Sequence, residues 1–138
     1  MRALFTDPTR TAFLIVTLAE DLPARETSVL VRQVRDQLGM PLGPLVVNAV
    51  PSPLFAAPVL DQLLSALPPS GGAGDRALGS TLSGVRLLRE WRRDAEQILT
   101  HLRGDPGLPM IELPRLPTSD LGPAEIEELS EVLLNRAG

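Results

Sequence analysis

The chain contains no cysteine, no lysine and no tyrosine among its 138 residues, and it carries a single histidine. Without cysteine there are no disulfides, thiolate metal sites or thiol catalysis, and nothing reports on redox compartment. All 13 basic residues are arginine, which excludes a Walker-type phosphate lysine, a Schiff base and a lysine general base within the chain. His101 alone cannot build a multi-histidine metal centre. Aromatic residues make up 3% of the chain. This set of absences fits GC-rich codon usage, so it limits the available chemistry without having been selected for it. No run approaches the roughly 20 apolar residues of a membrane span. Asp7-Pro8 interrupts the N-terminal stretch before a signal-peptide core forms. A net charge of −4 and a pI near 5.0 argue against broad binding to nucleic acid or anionic membranes. The expectation is a cytoplasmic protein with no nucleic-acid partner and no stable membrane insertion.

The length suits one domain, able to bury roughly two thirds of its unfolded surface. Three short apolar runs stand out at residues 13–18, 45–50 and 110–113. The first two are continuous and rich in branched residues, the pattern of strands covered on both faces. Helical patterns separate them. Over residues 24–38, Thr27, Leu30, Val31, Val34 and Leu38 form one stripe, with Asp21 as expected N-cap, Pro23 in the first turn and Gly39 as stop. A longer helix is expected from about 81 to 103, with Leu82, Val85, Leu88, Trp91, Ala95, Ile98 and Leu102 inward and Arg86, Glu90, Arg92 and Glu96 outward. The last helix runs from Pro123 to about Arg136, with Ile126, Leu129, Val132 and Leu133 as its inner face. The order is therefore β-α-β-α-β-α. It predicts an α/β fold with a three-stranded parallel sheet and flanking helices. Pro-Pro-Ser-Gly-Gly-Ala-Gly at 68–74 marks a flexible linker over residues 68–80, within a single domain spanning 1–138.

A nucleotide enzyme of this architecture carries a glycine-rich turn after its first strand. Here that strand runs into Ala19-Glu20-Asp21-Leu22-Pro23. Gly71, Gly72 and Gly74 follow no strand and precede no Lys-Ser/Thr. No nucleophile–base pair or metal-ligand set emerges either: His101 reads as an ordinary residue near a helix end, and Ser119-Asp120 makes no triad with it. The arginines at 86, 89, 92 and 93, interleaved with acids, read as a solvated face, and Trp91 reads as core. Three parallel strands leave two open edges, and open apolar edges seek partners, so the sheet reads as part of a larger one.

In open parallel sheets ligands sit beyond the carboxyl ends of the strands. Residues 17–21, 48–51 and 114–122 converge there. Asn48 is the one polar residue inside an apolar strand. Its amide either bonds neighbouring loop backbone or offers donor and acceptor to the edge of an adenine ring. Pro114 and Pro117, flanking Arg115 and Leu116, form a stiff turn that suits either simple turn geometry or a flat wall for a base. Glu26 and Thr27 read as a first-turn acid and a core edge.

The run Asp7-Pro8-Thr9-Arg10-Thr11-Ala12-Phe13-Leu14-Ile15-Val16-Thr17 resembles the C-terminal half of the arsenical-pump ATPase family, which includes the tail-anchored-protein targeting ATPases. Glu26-Thr27, Val46-Val47-Asn48, and Glu112-Leu113-Pro114 on to Gly122 resemble the same family in the same order. The likeness spans most of the chain outside about 51–81. It implies a partial P-loop-NTPase-like fold with adenine contacts at Asn48, Pro114 and Arg115. ATP and Mg²⁺ are expected only when a P-loop-bearing half completes the domain. The family's phosphate loop, switch regions and helical client insert would lie upstream of the segment that Asp7 matches. The resemblance thus implies a truncated chain, a split gene or a trimmed paralogue. The two-cysteine zinc motif of some members has no counterpart here. Two functions are expected from this: the adenine-side half of such an ATPase, inactive alone, or a non-catalytic interaction or oligomerisation module that keeps the fold. The expected partner is a P-loop half or a second copy, bound through the edge of strand 13–18.

Overall fold

A computed structural model describes residues 2–52, 62, 65, 75–118 and 120–137, with side-chain environments over a slightly narrower set. The elements are α1 (Arg2–Phe5), β1 (Phe13–Leu18), α2 (Asp21–Gln33) with a π-helical turn over Val34–Leu38, β2 (Leu42–Val50), α3 (Asp75–Gly104), β3 (Met110–Pro114) and α4 (Pro123–Ala137). The expected α/β class holds: one parallel three-stranded sheet, ordered β1-β2-β3, with helices on both faces. The single-turn α1 is an addition to the expected order.

The central strand β2 is covered on both sides over Leu45, Val46 and Val47, which explains the apolar run there. On one face Ile15, Leu45, Val47 and Val50 meet Ala24 and Val31 of α2 and Ala95, Leu99 and Leu102 of α3. On the other, Val46, Ile111 and Leu113 meet Leu129, Val132 and Leu133 of α4. Among the described residues, coverage stops short of β1. Its outward residues on the α4 side, Leu14, Val16 and Leu18, are 52%, 59% and 37% exposed. The expectation that this first strand is covered on both faces is therefore corrected: only Ile15 and Thr17 are buried.

Several local expectations are also corrected. Glu20, in extended conformation, is the N-cap of α2 and supplies no side-chain cap; Asp21 lies inside the helix, where it accepts a hydrogen bond from Arg25 Nε at 3.0 Å. The stripe over 24–38 ends in a π-turn rather than continuing as α-helix, and Gly39 stops it with a left-handed φ of 61°. Arg35 and Arg32 then fasten this end to the loop after α3, through the Pro106 carbonyl (3.3 Å) and Asp105 (3.5 Å). Residues 75–80, expected within the linker, are helical; residues 68–74 lie outside the described residues. The apolar stripe of α3 is buried only in its second half, since Leu87 and Leu88 are exposed. Ile126, expected inward on α4, is exposed as well. Gly122 opens that helix by donating its N–H to Glu125 Oε2 at 2.9 Å, half of a capping box.

Candidate functional site

The strand register decides where the carboxyl ends fall. Leu18 lies beside Asn48, and Val50 beside Pro114. The three strand ends therefore share one rim. The regular alternation of β2 breaks at Ala49, a non-glycine residue with φ of 54°. Such a left-handed residue costs roughly 1–2 kcal/mol. The kink lets both Val47 and Val50 enter the same core, and it separates Asn48 from the buried residues on either side. Asn48 is exposed, on the same side of the sheet as Leu18 and Val16. Its amide makes no hydrogen bond among the described residues, so the loop-backbone alternative finds no partner there.

A cleft of about 410 Å³ runs along the edge of β1 that has no neighbouring strand among the described residues, and reaches Asn48. Its strand wall is Ile15, Val16, Thr17 and Leu18, and its helical wall is Pro23, Glu26, Thr27 and Leu30 of α2. The four helical positions follow the i, i+3, i+4, i+7 spacing of a single helix face. That spacing was the signal available in the sequence for Pro23 and Leu30, which sequence reasoning missed. Glu26 and Thr27, expected to be a plain first-turn acid and a core edge, share this wall. The Thr27 hydroxyl is already engaged, donating to the Pro23 carbonyl at 2.8 Å. Thr17 is 7% exposed and its hydroxyl has no hydrogen-bond partner. The side-chain polar groups exposed to a ligand in the cleft are thus the Asn48 amide and the Glu26 carboxylate.

Pro114 and Arg115 stand on the same rim but do not line this cleft. Arg115 N–H donates to the Val50 carbonyl at 2.8 Å, extending the β2–β3 pairing past the last residue of β3. Its guanidinium lies over the ring of Trp91, 5.1 Å from the centroid, a cation–π contact. Trp91 is half-buried rather than a core residue, and forms a shelf at the β3 end of the rim. Its neighbour Arg92, expected on a solvated face, donates to the Pro51 carbonyl and pairs with Glu96 at 3.6 Å. The middle of α3 therefore braces the rim at both β2 and β3.

Away from the rim, Arg103 reaches Glu112 at 2.7 Å and Glu96 at 3.4 Å. The Glu112 hydrogen bond holds the guanidinium above its ordinary, already high pKa. His101 is exposed at the far end of α3. Ser119 lies outside the described residues. Among the described residues, no three metal-ligating side chains cluster, and no helix is long and apolar enough to cross a membrane. No protein-family model matches the chain, and no curated protein matches it.

Proposed function

We propose that the chain is the adenine-side half of a nucleotide-hydrolysing domain of the arsenical-pump and tail-anchored-targeting ATPase type, inactive alone and completed by a P-loop-bearing half. One observation carries this reading: the mismatch at β1. The strand has the continuous apolar composition of one covered on both faces, yet three of its side chains stand exposed beside an open edge. A sheet extended by one or more strands on that side would supply the missing cover.

In this reading Asn48 provides donor and acceptor to the edge of the adenine ring. Pro114 and the Arg115–Trp91 shelf provide a flat wall at the other end of the rim. With its guanidinium on an indole, Arg115 acts as part of that wall rather than as a phosphate contact. Phosphates and Mg²⁺ fall to the other half, because this chain has neither lysine nor a glycine-rich turn after β1. The protein is cytoplasmic and binds no nucleic acid.

The test is thermal shift with and without Mg-ATP, on the protein alone and mixed with the P-loop-bearing N-terminal half of an arsenical-pump-type ATPase. Alone, ATP leaves the melting temperature nearly unchanged; with the second half present, ATP raises it, and Asn48→Ala removes the gain. Hydrolysis at enzyme-like rates by the isolated chain would overturn the reading. Association with the added half that ATP does not affect would favour a non-catalytic interaction module instead.

A further inference from the structure

We infer that, in the absence of a partner half, two copies of this chain pair antiparallel through β1, forming one six-stranded sheet about a twofold axis at Val16. This goes beyond the nucleotide reading and does not depend on it.

The first support is a difference between the two edges of the sheet. Edge strands are ordinarily protected by proline, charge or shortness. β3 has all three: five residues, Pro109 before it, Pro114 at its end, and Glu112 held by Arg103. Residues 11–19, which contain β1, include no charge, proline or glycine. One unprotected edge and one protected edge give a closed pair rather than a filament.

The second support is register. Phe13 N–H donates to the Pro41 carbonyl at 2.7 Å. By strand alternation residues 13, 15 and 17 turn their backbone groups toward β2, and residues 14, 16 and 18 turn theirs to the open edge. Those same three residues carry the exposed apolar side chains. Side chains opposite one another across a twofold antiparallel pair share a face, so the paired residue numbers must sum to an even value. Only the register with Val16 opposite itself brings all three residues into pairs, Leu14 with Leu18 of the second copy and the reverse. In that register the backbone bonds and the apolar strip close together.

The third support is charge. The charge nearest β1 on its N-terminal side is Arg10 and on its C-terminal side Glu20, Asp21 being already paired with Arg25 at 3.0 Å. Antiparallel pairing lays the basic approach of one copy beside the acidic exit of the other at both ends of the seam. A parallel pairing would set like against like.

The cysteine-free chain makes the test direct. Sedimentation of the whole protein shows a concentration-dependent dimer, and Val16→Arg, at an exposed position, leaves a folded monomer by circular dichroism. For cross-linking, Val16→Cys, Leu14→Cys and Leu18→Cys are treated with a short bifunctional thiol reagent. Val16→Cys couples to itself, because paired α-carbons lie about 5.5 Å apart. Leu14→Cys alone does not, since its copies sit about 13 Å apart along the seam. A mixture of Leu14→Cys and Leu18→Cys couples. The proposal fails if the protein stays monomeric, if Val16→Arg leaves a dimer intact, or if Leu14→Cys couples to itself as readily as Val16→Cys. A chain that is monomeric until a P-loop half is added overturns self-pairing and leaves the nucleotide reading standing. A dimer that ATP fails to stabilise even with that half added does the opposite.

Discussion

Leu102 and Leu87 lie on the same helix, α3, and have opposite fates: the first is fully buried and the second is 66% exposed. Truncating Leu102 to alanine removes three carbons from a core shared with Val31, Leu45 and Leu99. At about 0.8 kcal/mol per buried methylene the transfer loss is about 2.4 kcal/mol. Incomplete collapse of the cavity brings the expected cost to about 3 kcal/mol. For a domain of this size that lowers Tm by about 10 °C, a large share of the 5–15 kcal/mol that domains typically have in total. Leu87→Ala, in contrast, costs less than about 0.5 kcal/mol. Both are measured by urea unfolding at one fixed protein concentration, so that any self-association cancels, with the midpoint read at constant m. If Leu102→Ala costs less than about 1 kcal/mol, or Leu87→Ala costs as much as Leu102→Ala, then α3 does not seat on the sheet as described.

Thr17→Val removes a buried hydroxyl that has no partner and keeps the shape, so stability rises by about 1 kcal/mol; a loss of that size in urea unfolding would show that the hydroxyl is satisfied. Gly39→Ala costs about 1 kcal/mol through its left-handed φ alone, because nothing lies within 4 Å of the added carbon, while Gly104→Ala, equally open but without a positive φ, shows no such loss in the same assay. Asp7 accepts hydrogen bonds from the hydroxyl and N–H of Thr9 at 2.7 and 2.9 Å, which hold its carboxyl below the usual aspartate range, the hydroxyl contributing most. A depressed folded-state pKa means that the turn's contribution is present above the ordinary carboxylate value and lost as pH falls through the lowered one. Carbon-detected NMR titration therefore finds a low Asp7 midpoint, and Thr9→Ala returns it toward normal.

The parts of the fold that were legible in the sequence rested on periodicity. The runs at 13–18 and 45–50 and the stripe through Val31 and Val34 each carried their own pattern, and Gly39 carried its own stop. The start of α3 was illegible because Gly79 and Ser80, poor helix formers, continue a stretch that already read as linker. The left-handed Ala49 was equally hidden, since alanine carries no mark of positive φ and only the demand of two valines for one core produces it. Composition misled at β1 in an informative way: it described a strand covered on both faces, and the described residues cover one. Of the candidate site, the convergence of strand ends followed from strand order; the exposure of Asn48 did not, because it goes with the kink at Ala49. The cleft beside β1 did not, because it needs the face of α2 that carries Glu26 and Leu30 to be set against a strand edge.

The pairings of β2 differ in how much chain they span. Ile15 and Leu45 are 30 residues apart, whereas Leu45 and Met110 are 65 apart. Closing the longer loop costs about 0.7 kcal/mol more in chain entropy, and it also requires α3 to be in place. The β1-α2-β2 unit thus assembles first and β3 docks onto it last. During that interval both sides of the central strand β2 lack part of their final cover, Val46 above all, whose shield arrives only with β3 and α4. Slow or incomplete arrival of the C-terminal third, rather than unfolding of the finished protein, is then the step at which this chain is most exposed to aggregation.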